Sequence, residues 1–215
     1  MTRPWTIAVV GTRTDVGKTW VACEMLRRVR AQGVRVAARK PVQSFVGAAN
    51  GAIASPTDAD LLGAASGEDA TAVCPVHRWY PKALAPPIAA EVLGRAPIQL
   101  LDLLAELTWP TDATLRLVET VGGLRSPLAH DADSLTFVRH LAPDQIVLVA
   151  DAELGAISAT RFACDALMGL LVVVVLNRYD DANEVHRLNR RWLMEHDGLT
   201  VVTDAADIAH EGVRL

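Results

Sequence analysis

Cysteine is scarce and scattered. Cys23, Cys74 and Cys164 are odd in number and no Cys-x-x-Cys occurs. That excludes a disulfide or zinc framework and fits reduced thiols in a cytosol. Aromatic residues make up only 5% of the chain, and Trp5, Trp20, Trp79, Trp109 and Trp192 form no stacking stripe. They read as core or interface residues. Excess positive charge is missing: the formal net charge is −4, so no nucleic-acid footprint is expected. The longest apolar run, Leu167 to Leu176, is half of the ~20 residues that a bilayer span requires. It reads as a strand buried on both faces, and no membrane association is expected. The six histidines show no His-Glu-x-x-His spacing and read as surface or packing residues. There is no Gly-x-Gly-x-x-Gly after a strand and no Gly-x-Ser-x-Gly. The first absence removes the dinucleotide fingerprint and the second the hydrolase elbow. No repeat, low-complexity tract or linker interrupts the 215 residues, of which 51% are hydrophobic. One domain with a substantial core is expected. Met1 to Trp5 runs straight into the first strand, so no signal peptide and a cytoplasmic location are expected.

What is present is organised around Gly11-Thr12-Arg13-Thr14-Asp15-Val16-Gly17-Lys18-Thr19. An apolar run, Thr6 to Val10, precedes it, and a helical pattern, Trp20 to Val29, follows. Strand, glycine-bounded loop, Gly-Lys-Thr and helix form the context of a phosphate-binding loop. Successive backbone N–H groups point into one concavity, and the helix N-terminus adds partial positive charge. In that loop Lys18 supplies a full charge to the outer phosphates, and the Thr19 hydroxyl faces Mg²⁺. Gly17 lets the backbone approach the ligand where a Cβ would intrude. The spacing is a variant, because Thr12 stands at the usual first glycine and Gly11 lies one residue earlier.

Strands are expected over Val34–Ala38, Ala113–Val118, Gln145–Ala150, Leu170–Leu176 and Leu199–Val202. Helices are expected over Leu61–Ala65, Ile88–Leu93, Ile98–Leu107, Ser134–Leu141, Ala156–Met168 and Asn183–His196. Phe45–Pro56 and Gly123–Ala132 read as loops, Cys74–Pro87 as irregular, and the tail to Leu215 as without pattern. Alternating strands and helices with β-branched strands imply an α/β fold. Its sheet is doubly wound and mostly parallel, of the P-loop NTPase type. On the ligand-bearing edge of such a sheet lie Lys40, Glu119 and Asn177. Lys40 is either a solvated strand-end lysine or a ligand contact. Glu119 closes an apolar strand before a glycine-containing turn, as a Walker-B-like carboxylate does, or else serves the turn. Thr57 or Asp58 caps the next helix, or Asp58 reaches a metal held by Thr19. Asn177 in Asn177-Arg178-Tyr179-Asp180 is either a purine contact or a strand-end turn residue.

Taken in this order, these residues resemble dethiobiotin synthetase. That family's loop reads Gly-Thr-x-Thr-x-Val-Gly-Lys-Thr, which residues 11 to 19 match at every fixed position. Its Lys-Pro-Val stands at Lys40-Pro41-Val42, and its Leu-Gly-x-Ile at Leu154-Gly155-Ala156-Ile157. The resemblance covers nearly the whole chain and thins after about Asn177. It implies an ATP-dependent ligase of biotin synthesis. CO₂ adds to an amine of 7,8-diaminopelargonate, ATP phosphorylates the carbamate, and the second amine closes the ring. It further implies Mg²⁺ between Thr19, Asp58 and Glu119, and nucleotide contacts from residues 12 to 19 and Asn177. Lys18 and Lys40 would neutralise the reacting anions, with Thr14, Ser44 and Gly122 on the substrate side. A homodimer is implied as well, in which Gly155, Ala156, Ile157 and Ser158 of the neighbouring subunit hold the substrate's distal carboxylate.

The chain departs from that pattern in places. Thr120 and Val121 replace the Gly and Ala of Glu-Gly-Ala-Gly-Gly. Ser158 stands where asparagine is common, and Val201-Val202-Thr203-Asp204 replaces a Gly-Glu-Ile-Pro segment near the purine. Two further readings therefore stand beside the ligase. One is an ATPase or GTPase switch of the partition type, acting through a protein partner. The other is a degenerate homologue that binds nucleotide without turnover.

Overall fold

The computed structural model describes residues 3–47 and 56–211. Most of the loop expected over Phe45–Pro56 and the last residues of the tail lie outside these. Six strands form the main sheet: β1 Trp5–Gly11, β2 Val36–Arg39, β5 Leu115–Glu119, β6 Gln145–Asp151, β7 Val172–Asn177 and β8 Val201–Val202. Their order is β2-β5-β1-β6-β7-β8, and every pairing is parallel. β1 lies between β5 and β6, so the loops leaving β1 and its neighbours open on one edge. This is the crevice where ligands bind in open α/β sheets.

The sheet is buried on both faces because its strands are apolar at both parities. Ile7, Val9, Leu117, Val147, Val149 and Val175 face one way. They pack under α1 (Lys18–Ala31), α2 (Asp58–Ser66) and α9 (Ala205–Glu211). Ala8, Val10, Val118, Ile146, Leu148 and Leu176 face the other way. They meet α5 (Leu100–Ala105), α6 (Ser134–Leu141), α7 (Ala156–Ala166) and α8 (Glu184–Glu195). A smaller parallel pair, β3 (Gln43–Ser44) with β4 (Trp79–Tyr80), places Ser44 beside the crevice. The short helix α4 (Pro86–Val92) packs on that pair, and α3 (Ala70–Val73) packs on α2 and β2. No described helix is long and apolar enough to cross a membrane.

Two expectations need correction. The run Leu167 to Leu176 is not one strand: Met168 and Leu171 are exposed, Gly169 turns the chain at φ 89°, and β7 starts at Val172. A left-handed glycine ends the α7 region before the strand can begin. The chain past β8 carries a helix, α9, that packs on α1. Of the tryptophans expected in the core or at an interface, Trp20 and Trp192 are 56% and 42% exposed, which leaves them outside the core.

Candidate phosphate and metal site

The glycine-rich loop joins β1 to α1 and is held from three sides. Thr12 N–H donates to Val149 O at 3.0 Å, which ties it to β6. Asn177 Nδ2 donates to Val16 O at 2.8 Å, and Arg178 Nη2 to Asp15 O at 3.1 Å. Arg13 lies at the rim, with Nε 2.7 Å from Asp151 Oδ2. Gly17 caps α1 at φ 95°, and a Cβ there would overlap the Asn177 amide. The glycine is required twice, by its backbone conformation and by the side chain above it. Asn177, only 7% exposed, thus braces the loop with one amide hydrogen. Arg178, named from sequence only as part of Asn177-Arg178-Tyr179-Asp180, has a left-handed backbone at φ 57° and lines the polar cavity with Lys18.

Below the loop lies a cluster of opposite charges. Thr19 Oγ1 is 3.0 Å from Asp58 Oδ1 and 2.9 Å from Glu119 Oε1. Lys40 Nζ reaches Asp58 Oδ2 at 2.7 Å, Glu119 Oε1 at 2.6 Å and Thr120 O at 3.3 Å. Lys40 is 2% exposed and Glu119 fully buried. Lys40 is therefore not a solvated strand-end lysine, and Glu119 is not a turn carboxylate. Thr57 and Asp60 resolve the start of α2 between them: Asp60 Oδ2 accepts from Thr57 N–H at 2.7 Å, and Asp60 N–H donates to the Thr57 hydroxyl at 3.3 Å. This capping box occupies Asp60 and leaves Asp58 to face Thr19. Gln43 supports the turn from β3, accepting from Ala59 N–H at 3.0 Å.

Charge and burial set the protonation states. Burial pushes the Glu119 carboxyl above the ordinary carboxylate value, against the pull of Lys40. Burial acts the same way on Asp58, but there Lys40 and the Thr19 hydroxyl outweigh it and hold the carboxyl low. Burial alone would depress Lys40, yet the two carboxylates raise it, so its ammonium is secure. Lys18 is lowered by burial first and by Lys40 second. A hydroxyl and two carboxylates are hard oxygen donors of the kind Mg²⁺ takes. Glu119 Oε2 is buried without a hydrogen-bond partner, which is what a metal ligand looks like before its ion is counted. The donor set fits Mg²⁺.

Two connected cavities meet here. A polar one of about 510 Å³ holds Lys18, Thr19, Lys40, Asp58, Glu119 and Arg178. An adjoining one of about 530 Å³ has apolar walls from Phe45, Val46, Leu84, Pro86 and Pro127. Thr14, Asp15, Ser44, Val121 and Gly122 line both. The apolar wall was not legible from sequence, because its members come from separate loops. Thr120 and Val121 are accommodated without strain: of residues 119 to 122, only Gly122 is left-handed, at φ 56°. Gly155, Ile157 and Ser158 are not brought into this crevice. They line a separate surface cavity at the start of α7, beside Arg161 and Phe162, while Ala156 is buried.

Comparison with known proteins gives the family. A family model described as an AAA domain matches residues 5–205. The ATP-dependent dethiobiotin synthetase BioD of Phenylobacterium zucineum is 38% identical over 166 residues, covering 74% of this chain and 68% of that protein. The protein of the same name from Haloferax mediterranei is 35% identical over 203 residues, covering 91% and 82%. Among solved structures, a putative plasmid partition protein from Borrelia burgdorferi bound to AMPPNP superposes with a TM-score of 0.54. It is 16% identical and covers 94% of this chain and 88% of its own, a likeness of fold alone.

Proposed function

The chain belongs to the dethiobiotin synthetase family, and from that premise we propose that it closes the ureido ring of dethiobiotin from 7,8-diaminopelargonate, CO₂ and ATP. It is a cyclo-ligase by family. The observation that carries the detailed reading is the junction of a phosphate and metal cavity with an aliphatic one, with a buried lysine beside the junction.

The residues divide the work. One amine of the substrate attacks CO₂ and loses a proton, giving a carbamate anion. Lys40 stands where it can neutralise that anion, since its ammonium is raised and lies in the polar cavity. A carbamate oxygen attacks the γ-phosphorus of ATP and ADP leaves. The second amine then attacks the carbamoyl carbon, loses a proton to solvent and expels phosphate. Lys18 and the loop N–H groups, oriented by the braced loop, hold the phosphates. Thr19, Asp58 and Glu119 would hold Mg²⁺, which supplies charge neutralisation at the phosphoryl group when bound. Thr14, Ser44 and Gly122 border the reacting amines, and residues 12 to 19 with Asn177 hold the nucleotide. Such chemistry needs positioned charge and little else from the protein.

A homodimer completes the site on this reading. Leu154 and Phe162 are 85% and 75% exposed beside Gly155 to Ser158, which suits burial against a second copy. The helix start there would hold the substrate carboxylate of the neighbour. A cytoplasmic location goes with the reduced thiols.

The test is product formation from diaminopelargonate, bicarbonate, Mg²⁺ and ATP, beside GTP and CTP, with phosphate followed in parallel. Dethiobiotin with ATP supports the reading. Phosphate release without diamine would mean a partition-type switch instead, and bound nucleotide with neither product would mean a degenerate homologue. Lys40→Ala is expected to keep nucleotide binding and lose turnover.

A further inference from the structure

We propose that Val121 determines substrate specificity, by limiting how much bulk the carbons bearing the two amines can carry. The proposal rests on the dethiobiotin reading and deepens it. Five residues line both cavities, and Val121 alone among them has an all-hydrocarbon side chain. A diamine whose nitrogens react in the polar cavity, while its carbon chain lies in the apolar one, must cross that border. Val121 stands two residues after Glu119, so its place is tied to the metal site.

The backbone around it is held in place. Thr120 N–H donates to Val9 O at 3.1 Å, which pins the preceding residue to β1. Val121 O accepts from the Ser134 hydroxyl at 2.8 Å, which pins its own peptide to the start of α6. Gly122, left-handed at φ 56°, turns the chain beside Ser126, which a Cβ at position 122 would overlap. The residue is partly buried and packs against the core cluster on that side of the sheet. A β-branched side chain on so constrained a backbone has little rotamer freedom to move aside. It meets the substrate as a rigid wall, and the size of that wall sets the space beside the reacting carbons. Discrimination of one methylene in such a pocket is worth about 10- to 200-fold.

The experiment compares 7,8-diaminononanoate with the homologue in which ethyl replaces the methyl group on the carbon bearing the 8-amine. For wild type, Val121→Ala and Val121→Phe, kcat/KM is measured for both diamines, and ADP affinity by calorimetry reports an intact nucleotide site. Wild type should favour the nonanoate. Val121→Ala should shrink that preference about 10-fold, and Val121→Phe should lower kcat/KM for the nonanoate about 30-fold or more, with ADP affinity kept within about 3-fold. An unchanged preference in Val121→Ala overturns the proposal. If Val121→Phe fails to bind ADP, Val121→Ala alone decides. If wild type makes no dethiobiotin, the proposed function fails instead. Calorimetric binding of both diamines to the ADP-loaded proteins then judges Val121: a size order that follows residue 121 supports its role, and an order indifferent to it overturns it.

Discussion

Replacing Lys40 by methionine keeps the bulk of the side chain and removes its charge. Two carboxylates then lose their common partner. Their environments differ: the Glu119 side chain is 1% exposed and that of Asp58 39%. The Asp58 contact holds that carboxyl low, but its side chain is more open to solvent, so its share is discounted. The loss is therefore chiefly that of one buried ion pair, for which breaking costs about 3–5 kcal/mol. With Asp58 discounted, about 3 kcal/mol is expected at pH 8, or about 6–12 °C in Tm for a chain of this size. The cost should depend on pH with a definite sign. Glu119 is already held above its ordinary value by burial, and removing Lys40 raises it further. A carboxyl whose folded pKa exceeds its unfolded one favours the fold at low pH and disfavours it as pH rises through the folded value. Lys40→Met should thus lose less at pH 5 than at pH 8. In a Glu119→Gln background the loss should fall below about 1 kcal/mol, because no buried charge remains unpaired. Urea unfolding of the two single variants and the double variant at both pH values measures all three quantities. A Lys40→Met protein as stable as wild type at pH 8 would refute the reasoning, as would a cost that persists undiminished in the Glu119→Gln background.

Gly17→Ala combines a left-handed backbone with an overlap at the Asn177 amide. Strain and a lost hydrogen bond together should weaken ADP binding about 30- to 100-fold, and unchanged calorimetric affinity would count against the bracing role of Asn177. Burial pushes the thiols of Cys23 and Cys74 up to about 12. Both should ignore a thiol reagent at pH 8 in the folded protein and react once it unfolds. Since their folded values exceed the ordinary 9.0, they contribute stability that is complete below pH 9 and lost as pH climbs towards 12. Unfolding midpoints that do not fall over that window would contradict it.

How much of this was legible in the sequence depends on how local the cause is. The phosphate-binding loop was, because strand, glycine, lysine and helix are consecutive and each answers a backbone requirement. The sheet was, because period-independent apolar runs such as Ile146 to Ala150 signal burial on both faces. Lys40 was visible as a position and not as a state, since its burial comes from Asp58 and Glu119, which only the folded sheet brings to it. The capping box was there to be read: Thr57 with an acid three residues on separates Asp60 from Asp58. The pair β3 and β4 was not, because two residues in each strand carry no periodicity. Nor was the turn at Gly169, which hides inside an apolar run. Asn177 pointed to the nucleotide, but its bond to Val16 spans 161 positions and no pattern encodes it.

The bracing of the phosphate-binding loop has a kinetic consequence. β6 and β7 fix it through Thr12, Asn177 and Arg178 with protein groups alone. A loop ordered in advance has little conformational entropy left to lose when a nucleotide arrives. Association then needs no folding step, and its rate follows diffusion and the field of Lys18 and Arg178. Severing a brace should slow capture and leave the intrinsic contacts of the bound state as they were.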